Sequence, residues 1–80
     1  MDPEEVRRMI EQGLPGARVQ VRSDDNTHFQ AVVVADAFSD LGRIGRHQLV
    51  YRCLGECMGN EIHALSIRAY TEAEWQQQNP

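Results

Sequence analysis

An alternating segment near the end of the chain restricts its fold more than any other feature. Over residues 62–70, apolar and polar side chains alternate, and residues 71–74 begin with a threonine and end with a glutamate. Alternation is typical of a strand with one buried face, and a threonine three residues before a glutamate is a capping box that starts a helix. The segment predicts a strand with His63, Leu65 and Ile67 on one face, followed directly by a short helix.

A helix and a hairpin are predicted ahead of this strand. Asp2 and Pro3 are typical of an N-cap and a first helical position, so a first helix starts there, and the glycines and proline of residues 13–16 end it with a turn. Alternation predicts strands over residues 17–22 and 28–38. The short polar turn between them makes the pair an antiparallel hairpin.

The remaining segments complete the order of elements. A loop over residues 39–45 leads into a second helix over residues 46–58, where apolar side chains recur at helical spacing. The final short helix carries Trp75, and residues 76–80 are expected to be a frayed tail. The order α-β-β-α-β-α predicts a single α+β domain over residues 1–80, in which helices cover one face of a three-stranded sheet.

Length and composition limit the function. A chain of 80 residues buries only about 60 to 65% of its unfolded surface, so a deep, enclosed active site is not expected. No apolar run approaches the ~18 residues that a membrane span needs, and the acidic, polar start does not resemble a secretory signal, so we expect a cytoplasmic protein without membrane contact. The net charge of -4 argues against coating nucleic acid by bulk electrostatics.

Catalysis finds little support in the residue types present. No serine or cysteine stands near a plausible base, and Asp24 and Asp25 fall in a turn, so we do not expect an enzyme. Cys53 and Cys57 lie four residues apart within the predicted second helix. They are interpreted either as two small buried side chains, which we favour, or as a metal or redox pair.

A G-x-x-G motif offers a nucleic-acid surface as one alternative. It precedes an arginine-bearing helix, and KH domains use such a loop to hold a nucleic-acid backbone. The other interpretation is a tight turn followed by a solvated helix face. The residues of the candidate surface are Gly42, Arg43, Gly45, Arg46, His47 and Arg52.

Three histidines are candidate metal ligands. His63 stands at the start of a strand, where a partner can reach it, and a neutral imidazole is a good ligand for borderline metals. The alternative is a structural histidine that packs beside Leu65. His28 lies at the edge of the hairpin loop and His47 at the start of the second helix, and each is also interpreted as an ordinary solvated side chain.

Four segments together resemble the BolA family. They are His28-Phe29, Arg46-His47-Gln48-Leu49-Val50-Tyr51, Ile62-His63-Ala64 and Ala69-Tyr70-Thr71 followed by Glu74-Trp75. Within the family the chain looks most similar to the bacterial IbaG branch. The resemblance runs from the first helix to Trp75 and implies a fold similar to a class II KH domain, in agreement with the order of elements predicted from the residues.

The resemblance also implies a function. Members of the family are non-enzymatic partners of monothiol glutaredoxins, in iron homeostasis and stress response. The two proteins share a [2Fe-2S] cluster to which the glutaredoxin and glutathione supply thiolates and the BolA-type protein supplies histidine. His63 matches the ligand histidine. The alternative implied by the KH-like surface is a DNA-binding transcriptional regulator, and the isolated chain is expected to be a monomer or a weak homodimer.

The chain departs from the family pattern at the second ligand. Members that bind a cluster carry a cysteine or histidine in the hairpin loop, four residues before the position of Phe29, and here that position is Asp25. A carboxylate is a hard and poor ligand for such a cluster. His28 and His47 are therefore the remaining candidates for the second ligand.

Overall fold

A computed structural model, which describes residues 1–78, has the predicted order of elements. Its helices and strands are α1 (Pro3–Gly13), β1 (Arg18–Arg22), β2 (His28–Val34), α2 (Arg43–Leu54), β3 (Ala64–Tyr70) and α3 (Glu72–Gln78), with 3-10 turns at Asp36–Phe38 and Gly55–Cys57. The predicted α+β class is confirmed.

The sheet is mixed, with β2 in the centre. β1 pairs with β2 antiparallel, as predicted for the hairpin, and β3 pairs with β2 in parallel on the other side. A parallel neighbour requires a crossover connection, and α2 supplies it between β2 and β3. The parallel register places His28 opposite Ala64, so the starts of β2 and β3 lie side by side.

α1 and α2 cover one face of the sheet and enclose the core. Both reciprocal bonds of the α1 capping box form, since Asp2 accepts from the Glu5 N–H and Glu5 accepts from the Asp2 N–H. The side chains that are fully buried or nearly so come from both helices, the sheet and the connecting segments: Val6, Ile10, Val33, Phe38, Val50, Leu54 and Ile62.

α3 lies at the end of the sheet. Its capping box also forms, with Glu74 accepting from the Thr71 N–H at 2.8 Å and Thr71 Oγ1 accepting from the Glu74 N–H at 3.2 Å. The rings of Tyr70 and Trp75 are 5.5 Å apart between centroids. Trp75 also lines a hollow with Val32 and Val34, which point away from the α1–α2 side, so α3 covers one end of the second face.

The predicted boundaries of β2 and the tail were wrong. β2 ends at Val34 rather than Phe38, because a 3-10 turn over Asp36–Phe38 follows and rotates the Phe38 ring into the core. The predicted frayed tail begins too early, since α3 continues through Gln78, and Gln76 donates to Glu72 at 3.0 Å. Residues 79 and 80 of that prediction lie outside the described residues.

The predicted second helix was displaced toward the C-terminus. α2 starts at Arg43, with Gly42 as its N-cap, so the predicted loop over residues 39–45 ends three residues earlier. It stops at Leu54 because Gly55 adopts a left-handed φ of 54°. The prediction extended the helix to residue 58 because Cys57 and Met58 are apolar at helical spacing. Both are half-buried against the core, but by the 3-10 turn that follows α2.

Candidate metal-ligand site

His63 has an exposed imidazole on a fixed backbone. It occupies a bend immediately before β3, so it lies next to the start of this strand as expected, but the prediction that the strand itself includes His63 is wrong. Its N–H donates to the Thr27 carbonyl at 2.8 Å, and the preceding Ile62 is fully buried. The backbone is therefore held on both sides while the ring faces solvent.

His28 stands beside His63 and belongs to a different element. It is the first residue of β2, and the two imidazole ring centroids are 6.2 Å apart with the planes inclined by 41°. The parallel pairing of β2 with β3 brings the two rings together, because it aligns the starts of the strands. Of the three candidate histidines, His28 and His63 form the pair.

Asp25 fixes the orientation of the His28 ring. Its Oδ2 lies 2.7 Å from His28 Nδ1, and its Oδ1 accepts from the backbone N–H groups of His28 at 2.9 Å and Thr27 at 3.0 Å. These bonds, the backbone donors first, hold the pKa of the Asp25 carboxyl well below its usual range. With Nδ1 engaged, Nε2 is the nitrogen that His28 can offer to a ligand bond.

The contact of Asp25 with the His28 ring was missed by sequence reasoning, which treated Asp25 as a turn residue and a poor ligand. The signal was the spacing itself, since an aspartate in a turn commonly accepts from N–H groups two and three residues onward. Here the same spacing also places the carboxylate beside the imidazole of His28.

His47 lies away from this pair. It is a half-buried side chain of α2 and lines a hollow with Arg43 and Arg68, further along β3. From Ala64, which is beside His28, to Arg68 the strand advances roughly 13 Å at its usual rise. His47 is therefore not brought together with His28 and His63.

The histidine pair offers a partial set of ligands. Among residues 1–78, no three histidine, cysteine, aspartate or glutamate side chains are grouped so that they could hold a metal ion. Two imidazoles can replace two thiolates on one iron of a [2Fe-2S] cluster, whereas the other iron then needs ligands from elsewhere. The donor chemistry fits a site that is completed by a second molecule.

The cysteines do not contribute to this pair. Cys53 Sγ donates to the Leu49 carbonyl at 3.3 Å, and burial raises the pKa of its thiol. Burial and then the hydrogen bond to Glu61 raise the pKa of the Cys57 thiol. Cys57 lies in the 3-10 turn rather than in the helix predicted for it. Both are free, half-buried thiols, in accordance with the favoured packing interpretation rather than a redox pair.

The predicted nucleic-acid surface is only partly available. Gly45 belongs to the first turn of α2 rather than to the predicted loop, and Arg46 is helical as predicted. The Arg46 side chain is 13% exposed and donates to Leu41 O, Ala69 O and the Glu74 carboxylate. Arg46 is therefore a structural residue, which corrects the prediction for it.

The other members of that surface remain accessible to different degrees. Gly42, Arg43 and Arg52 are exposed, and His47 is half-buried. Ile44, between the two glycines, is 75% exposed. The exposed charges that a nucleic acid would meet on α2 are those of Arg43 and Arg52.

The model of the BolA-like protein family matches residues 9–74. The chain belongs to this family. The acid stress protein IbaG of Escherichia coli strain K12 is 40% identical to this BolA-like chain over 76 residues, which cover 94% of this chain and 89% of that protein. The DNA-binding transcriptional regulator BolA of Vibrio cholerae is 45% identical over 53 residues, or 66% of this chain and 50% of that protein.

The fold of BolA-like proteins is also found among solved structures. A BolA protein homologue from Coxiella burnetii matches with a TM-score of 0.85 and 38% identity, over 95% of this chain and 97% of that one. The family resemblance predicted from the four segments is thereby confirmed, with an IbaG protein among the relatives. No helix within residues 1–78 has the length and apolar character that a membrane crossing requires.

Proposed function

We propose that this BolA-like chain is a non-enzymatic adaptor that pairs with a monothiol glutaredoxin to hold or transfer a [2Fe-2S] cluster. The proposal rests on the exposed pair of His28 and His63, whose ring centroids are 6.2 Å apart. Within residues 1–78, no third side chain joins this pair to form a metal site. Such a pair needs a partner to complete the coordination, and a glutaredoxin with glutathione supplies the thiolates.

The two histidines have different parts in the proposal. His63 is the principal ligand, because its backbone is anchored to Thr27 while its ring is exposed. His28 is the second ligand in place of the missing loop cysteine or histidine, and Asp25 is a positioning residue that orients it. The cluster is cargo that passes through this site, and the thiols that its ligation needs stay reduced in the cytoplasm, where we place the chain.

Anaerobic reconstitution tests the proposal. The chain is mixed with a monothiol glutaredoxin and glutathione, and the visible circular dichroism of the cluster is compared with that of the glutaredoxin alone. Wild type is expected to change the spectrum and to form a heterodimer, whereas His63→Ala leaves the glutaredoxin spectrum unchanged. His28→Ala is expected to form a heterodimer with an altered spectrum, since one ligand is lost.

His47→Ala is the matched control, because it removes an imidazole that lies apart from the pair. It is expected to reproduce the wild-type spectrum. A wild-type spectrum from His63→Ala contradicts its role as a ligand. If wild type neither changes the spectrum nor forms a heterodimer, the adaptor proposal fails.

A second candidate function is a DNA-binding transcriptional regulator, as the Vibrio cholerae relative is named. It is supported by Arg43 and Arg52, which are exposed on α2. Duplex DNA binding is expected to weaken with salt and with Arg43→Gln and Arg52→Gln, each of which removes about one phosphate contact. Fluorescence anisotropy over a salt series measures both effects. Binding that ignores salt and both substitutions contradicts this function.

A further inference from the structure

The arginines of the chain fall into two groups. Arg7, Arg18 and Arg46 form ion pairs with glutamates. Within residues 1–78 the remaining arginine side chains form no such pair: they are Arg8, Arg22, Arg43, Arg52 and Arg68. In a chain with a net charge of -4, the position of these free cations is informative.

Three of the five free arginines surround one groove. Arg22 comes from β1, Arg68 from β3 and Arg43 from the start of α2, and the groove crosses the face of the sheet that α1 and α2 leave uncovered. No aspartate or glutamate lines it. The outward side chains of its floor are Gln20, Gln30, Val32 and Ser66.

The strand register fixes how the groove is arranged. Arg22 is in one row with Gln30 and Ser66, and Arg68 is two residues beyond Ser66 on the opposite edge strand. With strands ~4.8 Å apart and a rise of ~3.3 Å per residue, the Cα atoms of the two arginines are roughly 12 Å apart. Carboxylates four positions apart on an extended peptide have about the same separation.

We infer that this groove binds an extended acidic segment of a protein partner. Arginine holds a carboxylate in a bidentate pair, and the glutamine amides of the floor can bond to the backbone of an extended chain. A single-stranded nucleic acid fits less well, because no Phe, Tyr or Trp lines the groove for bases to stack on, and the only ring in its lining is the half-buried imidazole of His47. The net negative charge of the chain also opposes a long polyanion more than a short one.

The groove continues into the hollow beside the histidine pair. Arg22, Gln30 and Ser66 line both the groove and the hollow that contains Asp25 and His28. A protein seated on His28 and His63 would therefore place an adjoining segment on the arginines. The identification of the partner as the cluster-sharing protein rests on the proposed function, whereas the chemistry of the groove does not.

Fluorescence anisotropy of a labelled hexaglutamate peptide with the isolated chain, at low salt, tests the inference. Arg22→Gln and Arg68→Gln are each expected to weaken binding about tenfold, because each removes one charge-assisted pair. Arg8→Gln removes the same charge from α1, far from the groove lining, and is expected to stay within about twofold of wild type. Chemical-shift changes confined to the groove residues confirm the location.

The other outcomes overturn the inference. Peptide binding that is undetectable at low salt, or that Arg8→Gln weakens as much as the groove variants do, shows that the groove is not the site. If a hexathymidylate binds more tightly than hexaglutamate does, and if this binding depends on Arg22 and Arg68, the groove is a nucleic-acid site instead. The peptide assays contain no cluster, so the two proposals can fail separately. If the reconstitution fails while the peptide still binds, only the proposed function is overturned. If the reconstitution succeeds while the peptide does not bind, only the inference about the groove is overturned.

Discussion

At the scale of single residues, Gly13 shows how one missing side chain sets the distance between two helices. A Cβ atom built there would collide with the Sγ of Cys53 and lie 3.0 Å from its Cβ. Sequence reasoning assigned Gly13 to the turn that ends the first helix, but it is the last helical residue of α1, and Gly16 has the positive φ. The missing side chain of Gly13 allows α1 and α2 to approach each other closely, since the two helices pack together at this point.

Gly13→Ala is expected to lower the free energy of unfolding by about 1 to 3 kcal/mol, the usual cost of overpacking a tight contact. Gly45→Ala is the matched control, because a Cβ there meets Leu41 at an ordinary 3.5 Å. It is expected to stabilise the chain by about 0.5 to 1 kcal/mol through helix propensity. Urea unfolding measures both, and equal signs for the two substitutions would contradict the packing role of Gly13.

The sequence indicated His28 and His63 as separate candidate ligands, but it did not indicate that they form a pair. His63 was singled out because it precedes an alternating strand, and His28 because it borders a turn. Their proximity follows from the parallel pairing of β2 with β3. In this pairing His28 lies opposite Ala64, which is 36 positions further along the chain. Local periodicity carries no information about such a pairing, so His28 and His47 could not be ranked from the sequence.

At the scale of secondary-structure elements, Arg46 joins three of them. From α2 its guanidinium donates to the Leu41 carbonyl at 2.9 Å, to the Ala69 carbonyl of β3 at 3.2 Å and to the Glu74 carboxylate of α3 at 2.6 Å. The Arg46 side chain is largely buried, so its bonds to the two carbonyls are little screened by solvent, whereas the Glu74 carboxylate is about half-exposed. Arg46 therefore holds the start of α2 and the start of α3 against the end of β3.

Arg46→Gln is expected to destabilise the chain by about 1.5 to 3 kcal/mol, because a shorter neutral side chain cannot satisfy these acceptors. Arg52→Gln, an exposed arginine of the same helix, is the control and is expected to change stability by less than about 0.5 kcal/mol. Thermal unfolding at neutral pH separates the two. Similar small effects for both would show that Arg46 is not the structural link inferred from its contacts.

Helix starts were predictable where a side chain caps them, and less so elsewhere. Asp2 and Thr71 indicate the starts of α1 and α3 in the sequence, because their side-chain oxygens accept hydrogen bonds from backbone N–H groups of the first turn. α2 has Gly42 as its N-cap with no side-chain bond, so nothing local distinguished its start from a glycine-containing loop. β2 was extended too far because Phe38 is buried by a turn, and burial alone does not separate a strand from a turn.

At the scale of the whole molecule, acid acts on several contacts at once. The hydrogen bonds from Arg46 and then from the Thr71 N–H lower the pKa of Glu74 to about 2, and the backbone N–H groups of His28 and Thr27 lower the pKa of Asp25. A carboxylate with a lowered pKa in the folded state stabilises that state above its ordinary pKa. The stabilisation is lost as pH falls through the folded value.

Glu74→Gln tests this dependence in the intact chain. At pH 7 the variant is expected to be less stable than wild type, because the ion pair with Arg46 is lost. The difference should persist down to the ordinary glutamate pKa of 4.5 and shrink steadily toward pH 2, where about half of the Glu74 carboxylates of folded wild type are protonated. Glu56→Gln, at an exposed position of the turn after α2, is expected to follow wild type throughout. Urea midpoints at several pH values between 7 and 2 measure the convergence, and a Glu74→Gln difference that stayed constant to pH 2 would show that the Glu74 carboxylate does not link acid to unfolding.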